Sequence, residues 1–285
     1  MFIKWAFFYF TMLIICLSSL YIDSAVCVNA YALDDTRTEI RLPIVMYHSV
    51  LPGRSSQYVV TPTQFENDLR AFINAGYETV FMSQVIDWID GRGELPAKPI
   101  VITFDDGHYN NVHYALPIAK ELGAKFSIYP VIDFTEKTVK NKETGNPRYS
   151  YLTWEDMKLA YDTGIVEFGN HTYQMHRYKP RYGIGQKFGE PNEEYRNAME
   201  RDFKYVQEEF ERAQIPAPSV FAYPFGKYTP QGRQLLVDMG FRAMLTCNER
   251  VDTIKRGQPE TLHELGRFNR SGHYTTETIL KKINK

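Results

Sequence analysis

The stretch that decides the fold is Pro99-Ile100-Val101-Ile102-Thr103-Phe104, followed at once by Asp105-Asp106-Gly107. The apolar run predicts a buried strand, and the Asp-Gly pair after it is typical of a turn. Two adjacent carboxylates at the buried end of such a strand repel each other, so they need a cation or a proton to coexist. Gly107 lets the backbone turn tightly enough for both carboxylates to face one cleft.

Further apolar runs of the same kind lie on both sides of this strand, and amphipathic helical patterns separate them. Alternation of strands and helices predicts an α/β fold with a parallel sheet. About seven strands in a single domain over 42–285 favour a closed (β/α) barrel, with an open doubly wound sheet as the alternative. The other runs are Pro43–Tyr47, Glu78–Phe81, Phe126–Val131, Ile165–Phe168, Val220–Tyr223 and Phe241–Thr246.

Four of the predicted strands end in polar or turn-forming residues that can do chemistry. His48 follows the first run, Asp105 and Asp106 follow the central one, and Asn170-His171 follows the run at 165–168. Pro224-Phe225-Gly226 follows the run at 220–223. Since the carboxyl ends of parallel barrel strands share one rim, we expect these residues to converge in one cleft.

His171 and His176 are the natural partners of a cation held by the aspartates. A spacing of five does not place both on one helix face, but a loop at a strand end can fold both onto one ion. One carboxylate and two imidazoles suit Zn²⁺ with water in an open position, and Co, Ni, Mn or Fe also fits. Two unrelated histidines and an ordinary Asp-Gly turn are the alternative interpretation. With the second aspartate free to act as a base, the set describes a metal-assisted hydrolase.

These residues resemble the motifs of the polysaccharide deacetylases, also called the NodB-homology domain or carbohydrate esterase family 4. Thr103-Phe104-Asp105-Asp106-Gly107 is similar to the TFDDG signature, His171…His176 to the H-[ST]-x-x-H element, and Pro224-Phe225-Gly226 to the end of R-x-P-Y-G. The resemblance covers roughly 42–284. It implies a distorted (β/α) barrel, a divalent metal, and removal of acetyl groups from N-acetylglucosamine polymers.

The resemblance also implies roles for individual residues. Asp105 is the general base toward the attacking water, and Asp106, His171 and His176 hold the metal. The metal and a backbone N–H, that of Phe225, stabilise the oxyanion that forms on the acetyl group. A general acid then protonates the leaving sugar amine.

The sequence departs from the usual family pattern at several points. Four residues rather than three separate the two histidines, and Ala222 stands where an arginine normally orients the base. The element with the usual late catalytic histidine has no clear match, since His263 and His273 lack the apolar context. These departures resemble the poly-β-1,6-N-acetylglucosamine deacetylase branch, in which the motif order is permuted. By that resemblance, His48 is the general acid.

The aromatic residues around the strand ends suggest a sugar site. We expect Tyr47, Tyr173 and Tyr223, with Pro224 and Phe225, to line it. Packing in the core is the alternative for each tyrosine.

The N-terminal segment 1–32 has the pattern of an export signal. Lys4 precedes an apolar run, and Ala30-Tyr31-Ala32 offers a small-x-small cleavage site. An uncleaved anchor over 5–22 is the alternative. A short linker over 33–41 follows, and we expect a secreted or cell-surface protein. Cys247 is then the single cysteine of a cleaved product, so no intramolecular disulfide can form in it.

Composition narrows the function further. A net charge of −1 offers no basic excess for nucleic-acid binding. The predicted function is an N-deacetylase acting on an extracellular N-acetylglucosamine polymer of biofilm or cell wall. The alternatives are the same chemistry on peptidoglycan, on small chito-oligomers or on xylan, a carbohydrate-binding relative that has lost catalysis, and a glycosidase. A glycosidase is disfavoured because its two catalytic carboxylates must lie on opposite sides of the glycosidic bond, about 5 Å or more apart. Adjacent aspartates at the end of one strand rarely do so.

Overall fold

The computed structural model describes residues 37–285, which contain the compact unit Thr38–Lys285. The predicted signal or anchor over 1–32 lies outside the described residues. The strands are β1 (Glu39–Leu42), β2 (Ile44–Tyr47), β3 (Ser49–Val50), β4 (Val59–Val60), β5 (Glu78–Thr79), β6 (Pro99–Asp106), β7 (Phe126–Pro130), β8 (Val166–Phe168), β9 (Val220–Ala222), β10 (Ala243–Leu245), β11 (Asp252–Lys255) and β12 (Phe268–Asn269).

Helices connect most of these strands. They are α1 (Pro62–Asn74), α2 (Met82–Ile89), α3 (Leu116–Glu121), α4 (Ile132–Lys140), α5 (Trp154–Asp162), α6 (Asn192–Arg212), α7 (Pro230–Asp238) and α8 (Thr276–Ile283). A π-helical turn at Asn111–Ala115 precedes α3, and 3₁₀ turns occupy Pro224–Gly226 and Pro259–Leu262. Over residues 37–285, no helix is long and apolar enough to cross a membrane.

Local sequence chemistry explains where the helices begin. The hydroxyl of Thr61 accepts the N–H of Gln64, whose side chain bonds back to the Thr61 N–H, which forms a capping box at α1. Thr153 and Asp156 repeat the arrangement at α5.

The parallel sheet is confirmed, and each of the seven predicted runs contains a strand. Six strands form one sheet in the order β12-β2-β6-β7-β8, with β5 pairing the start of β6. All of these pairs are parallel, and β9 pairs β10 in parallel beside them. The antiparallel β1–β11 pair was not predicted. β1 covers Glu39–Leu42 and pairs with β11, so a strand overlaps the end of the predicted linker 33–41.

Isolated bridges link the two parallel sheets. Asn170, just after β8, pairs with Phe221 of β9, and Leu245 of β10 pairs with Leu265, shortly before β12. The amide of Asn170 donates to the Val220 carbonyl at 2.9 Å. The chain segments that carry the polar strand ends are therefore hydrogen-bonded neighbours.

The core lies on both faces of the central strands. Residues 99–105 of β6 are all buried, and only Asp106 at its end is partly exposed. Phe104 packs against Phe65 of α1, whereas Val101 belongs to a second cluster with Trp88 of α2. Burial on both faces holds β6 rigidly, so the positions of Asp105 and Asp106 at its C-terminal end are fixed.

Candidate metal-centred active site

The ends of β6 and β8 bring together three of the residues predicted to hold a metal. Oδ1 of Asp106 lies 3.8 Å from Nε2 of His171 and 3.5 Å from Nε2 of His176. One ligand atom from each residue lies within 4.8 Å of the other two. A carboxylate and two imidazoles at this separation can surround one divalent ion.

Hydrogen bonds already orient these groups as ligands. Nδ1 of His171 lies 2.7 Å from the Ala222 carbonyl of β9, so Nδ1 carries the proton and Nε2 keeps its lone pair toward Asp106. Burial lowers the pKa of His171 to about 4, which keeps the imidazole neutral. Oδ1 of Asp106 is buried and makes no hydrogen bond within residues 37–285. A buried carboxylate oxygen without a donor, facing two imidazole lone pairs, fits a cation.

The backbone at these strand ends is strained. Asp106 has φ 69°, Thr172 has φ 76° and Phe225 has φ 58°, all in the left-handed region that side chains with a Cβ disfavour. Each lies at or next to a predicted site residue. Such strain persists only where surrounding contacts hold it, and it concentrates at functional sites. At Asp106 it turns the carboxylate away from the pleat of β6 and toward the histidines.

Asp105 is held by an arginine that the sequence analysis missed. Nη1 and Nη2 of Arg267 lie 2.6 and 2.8 Å from the two carboxylate oxygens of Asp105, and both side chains are buried. Burial raises the pKa of Asp105, but the charge and the hydrogen bonds of Arg267 outweigh it and keep the pKa below its usual value. Asp105 is therefore an ionised carboxylate in fixed orientation.

Arg267 makes the contact with Asp105 that the resemblance assigns to the arginine missing at Ala222. It lies just before β12, and its Nε donates to the Thr246 carbonyl at 3.0 Å. The only signal in the sequence was Arg267-Phe268-Asn269-Arg270, a run too short and too polar to predict a strand. The backbone carbonyl of Ala222 instead accepts the hydrogen bond from Nδ1 of His171.

His48 is placed at the same rim. Its predecessor Tyr47 pairs with Phe104 in the parallel register of β2 and β6, so His48 is level with Asp105. The side-chain amide of Asn111 donates to the backbone carbonyl of His48 at 2.7 Å. Burial lowers the pKa of His48, while the charges of Asp106 and Asp105 oppose this. Its Nδ1 has no hydrogen-bond partner in the described part of the chain.

A second imidazole, which the sequence analysis did not select, also faces the aspartates. Nε2 of His108 lies 3.6 Å from Oδ2 of Asp106, and its ring stacks on Tyr151. His263 instead lies among Arg233, Glu260 and Glu264. It is therefore not grouped with the aspartates.

Two of the predicted sugar-lining tyrosines belong to the core. Tyr47 is 1% exposed, and its hydroxyl donates to buried Asp68 at 2.9 Å. Tyr223 is fully buried against Phe221 and Tyr228. The prediction is wrong for both, because neighbouring strand residues point to opposite faces and the residue beside a cleft residue faces the core.

The structure places the other three predicted substrate-binding residues differently: Tyr173 is half-buried, Pro224 is buried, and Phe225 contacts a proposed metal ligand. The Tyr173 hydroxyl donates to the carboxylate of Glu136 at 3.0 Å. Pro224 and Phe225 form the turn after β9, and the Phe225 ring lies 4.5 Å from that of His176. Cys247 is a free thiol that packs near Met46, and burial raises its pKa.

Relatives named as deacetylases match parts of the chain. Poly-beta-1,6-N-acetyl-D-glucosamine N-deacetylase of Escherichia coli (strain K12) is 24% identical over 60% of this chain and 28% of that protein. YxkH of Bacillus subtilis (strain 168) is 30% identical over 46% of this chain and 42% of that protein. The chain thus spans less than half the length of these two relatives. The enzyme of the same name from Staphylococcus epidermidis is 22% identical over 79% of this chain and 74% of that protein.

Solved structures share the fold. A de-N-acetylase from Aggregatibacter actinomycetemcomitans superposes with a TM-score of 0.71 at 20% identity, over 85% of this chain and all of that one. IcaB from Ammonifex degensii gives 0.68 at 23% identity, over 86% and 96%. The family model described as polysaccharide deacetylase matches residues 92–244, which is more than half of the chain and spans the Asp106, His171 and His176 cluster. The chain therefore belongs to the polysaccharide deacetylase family.

Proposed function

We propose that this protein is a metal-dependent hydrolase that removes N-acetyl groups from an extracellular polysaccharide containing N-acetylglucosamine. The observation that carries the proposal is the cluster of Asp106, His171 and His176 beside an ionised, arginine-held Asp105. Three ligands for one ion and a separate fixed base are the parts that hydrolysis of an amide requires. The names of the relatives supply the substrate class.

Asp106, His171 and His176 would hold the ion, and their donor set suits zinc best. Such an ion supplies Lewis acidity that polarises the acetyl carbonyl and lowers the pKa of water. Asp105 accepts the proton of the attacking water. Because Arg267 fixes both of its oxygens, the carboxylate is oriented before the substrate arrives. The backbone N–H of Phe225 donates to the developing oxyanion.

His48 completes the reaction as general acid. The C–N bond breaks as the imidazolium of His48 gives its proton to the leaving sugar amine, and the products are acetate and a free glucosamine unit. Imidazole is a common general acid because its unperturbed pKa of about 6.5 is close to neutral pH. Burial lowers the pKa of His48 itself, which makes its imidazolium the more ready proton donor. Arg267 holds both oxygens of Asp105 although Ala222 lacks the usual arginine, which supports catalysis over a carbohydrate-binding relative that has lost it.

The finer fold and location also belong to the proposal. The bridges Asn170–Phe221 and Leu245–Leu265 support a distorted barrel. The pattern of residues 1–32 supports export, with a cleaved signal or an anchor over 5–22, and a place at the cell surface.

Acetate release from an N-acetylglucosamine pentamer tests the function. We expect release with added Zn²⁺ or Co²⁺, none after chelation, and no shortening of the chain by mass spectrometry. Asp105→Asn should lower turnover at least about a hundredfold while the protein keeps one metal equivalent. A peptidoglycan fragment tested in parallel decides between the two substrates. Chain shortening, or full activity in the chelated protein, would refute the proposal.

A further inference from the structure

Three aromatic rings stack beside the catalytic cleft. The Phe225 ring centroid lies 4.5 Å from that of Tyr178 and 5.1 Å from that of Tyr182, with interplanar angles of 23° and 9°. The two tyrosines lie 5.5 Å apart at 15°. We call these three residues the aromatic platform. Tyr178 is 70% exposed and Tyr182 41% exposed, so both tyrosines of the platform are accessible to solvent.

Buried contacts fix the loop that carries Tyr178 and Tyr182. Arg181, which lies between the two tyrosines in the sequence, is buried and donates to both carboxylate oxygens of Glu190 at 2.8 and 2.6 Å. The Gly183 amide donates to the Arg177 carbonyl at 3.0 Å. A Cβ on Gly183 would lie 3.1 Å from the Pro224 carbonyl, so this loop packs closely on the turn that carries Phe225. The exposed rings therefore rest on a fixed base.

The platform is continuous with the proposed metal site. The Phe225 ring lies 4.5 Å from the ring of His176, at an interplanar angle of 42°, and His176 belongs to the Asp106–His171–His176 cluster. Tyr178 is thus separated from a proposed metal ligand by one ring. A polymer that places an acetyl group at the cluster must lay its neighbouring sugars along the adjoining surface.

We propose that the aromatic platform binds the apolar face of a hexopyranose ring, one unit along the polysaccharide from the sugar being deacetylated. This inference rests on the proposed function. The axial C–H groups of a pyranose form a flat apolar face that matches the electron-rich face of an aromatic ring. Tyrosine hydroxyls at the ring edges can hydrogen-bond the sugar hydroxyls. Rings that are rigid before binding lose little conformational entropy when the sugar docks.

The test compares long and short substrates. For the metal-loaded protein, kcat/KM is measured on an N-acetylglucosamine pentamer and on the dimer, and the ratio of the two is the readout. The double variant Tyr178→Ala/Tyr182→Ala should lower this ratio about tenfold, since stacked rings contribute on this scale. The double variant Tyr178→Phe/Tyr182→Phe keeps the aromatic rings and should retain most of the parent ratio of kcat/KM for pentamer over dimer. Phe188→Ala removes an exposed ring of the same loop outside the stack, and the ratio should stay at the parent value.

Direct binding separates this proposal from the proposed reaction. Calorimetry on the metal-free protein should show tighter binding of the pentamer than of the dimer, and the double alanine variant should lose that preference. If the parent releases no acetate but keeps a platform-dependent length preference, the proposed reaction is wrong and the platform stands. If acetate is released but the double alanine variant keeps the parent ratio, or Phe188→Ala lowers it equally, the platform is wrong.

Discussion

Arg267 binds both carboxylate oxygens of Asp105 through its two terminal nitrogens, at 2.6 and 2.8 Å, and both side chains are buried. The pair joins the C-terminal part of the chain to the end of β6. A planar fork matched to a carboxylate fixes orientation as well as charge, which a lysine cannot do. The position of the proposed base thus depends on a residue more than 160 positions away in sequence.

Replacement of this arginine should move the pH profile. In Arg267→Lys the single ammonium compensates Asp105 less well, so the pKa of Asp105 rises and the acidic limb of kcat/KM shifts to higher pH. We expect kcat/KM at neutral pH to fall about 10- to 100-fold. The measurement is the pH dependence of acetate release.

Arg270→Lys is the matched control. Arg270 is equally buried and holds Asp68 at 2.6 and 3.1 Å, but it is bonded to the core rather than to the base. Both variants should lose about 2 kcal/mol of unfolding free energy, and only Arg267→Lys should shift the acidic limb. An equal shift of the acidic limb in both variants would mean that Arg267→Lys acts through loss of stability and not through the pKa of Asp105.

Substitution of His48 tests the proposed general acid. His48→Gln should lower kcat about 10²- to 10⁴-fold without loss of metal, because the leaving amine then has no proton donor. His108→Gln is the comparison, since His108 also faces Asp106. If His48→Gln keeps parental turnover and His108→Gln loses it, the acid is His108.

Metal affinity should depend on the loop histidine. His176→Ala removes one of three proposed ligands, so we expect at least a hundredfold weaker zinc binding in a competition titration with a fluorescent chelator. His273→Ala removes an exposed histidine and should bind zinc as the parent does. Unchanged affinity in His176→Ala would exclude His176 as a ligand.

The sequence sufficed for the parallel strands and for the ligand cluster because both depend on local signals. A buried strand needs a run of apolar residues, and ligands at strand ends are the polar residues that stop such runs. Asp106 and His171 have that form. Arg267 does not, because its strand β12 has two residues and its partner Asp105 is set only by the way the chain returns to β2. Tyr47 does not line the proposed sugar site although it precedes His48, because successive residues of a strand point to opposite faces and Tyr47 faces the core.

Acid should destabilise the metal-free protein through His171. Its pKa is about 4 when folded and about 6.5 when unfolded, so the unfolded chain binds more protons between these values. Stability therefore falls as pH drops from 6.5 to 4, by about 3 kcal/mol for this group. In His171→Gln that part of the pH dependence should vanish. Urea unfolding with chelator at several pH values gives both curves.

The difference between the parent and this variant is the quantity to compare. Burial raises the pKa of Asp202 to about 6, and a raised carboxyl contributes stability that is lost as pH rises, which opposes the His171 trend. Asp202 is present in both proteins, so its contribution cancels. Parallel curves for the parent and His171→Gln would show that His171 is not buried as a neutral imidazole.

Gly107 is required by two separate constraints, and a matched glycine distinguishes them. Its φ is 78°, and a Cβ there would lie 2.7 Å from Cβ of Pro130 on β7. Gly91 has φ 74° with nothing within 4 Å of its position. Gly91→Ala should therefore cost about 1 kcal/mol from the backbone alone, and Gly107→Ala about 2–4 kcal/mol because the clash adds to it. Since Asp106 precedes Gly107, the alanine should also move the carboxylate and weaken zinc binding, whereas Gly91→Ala should bind zinc normally. Equal costs in the two variants would mean that β7 yields to the added methyl group.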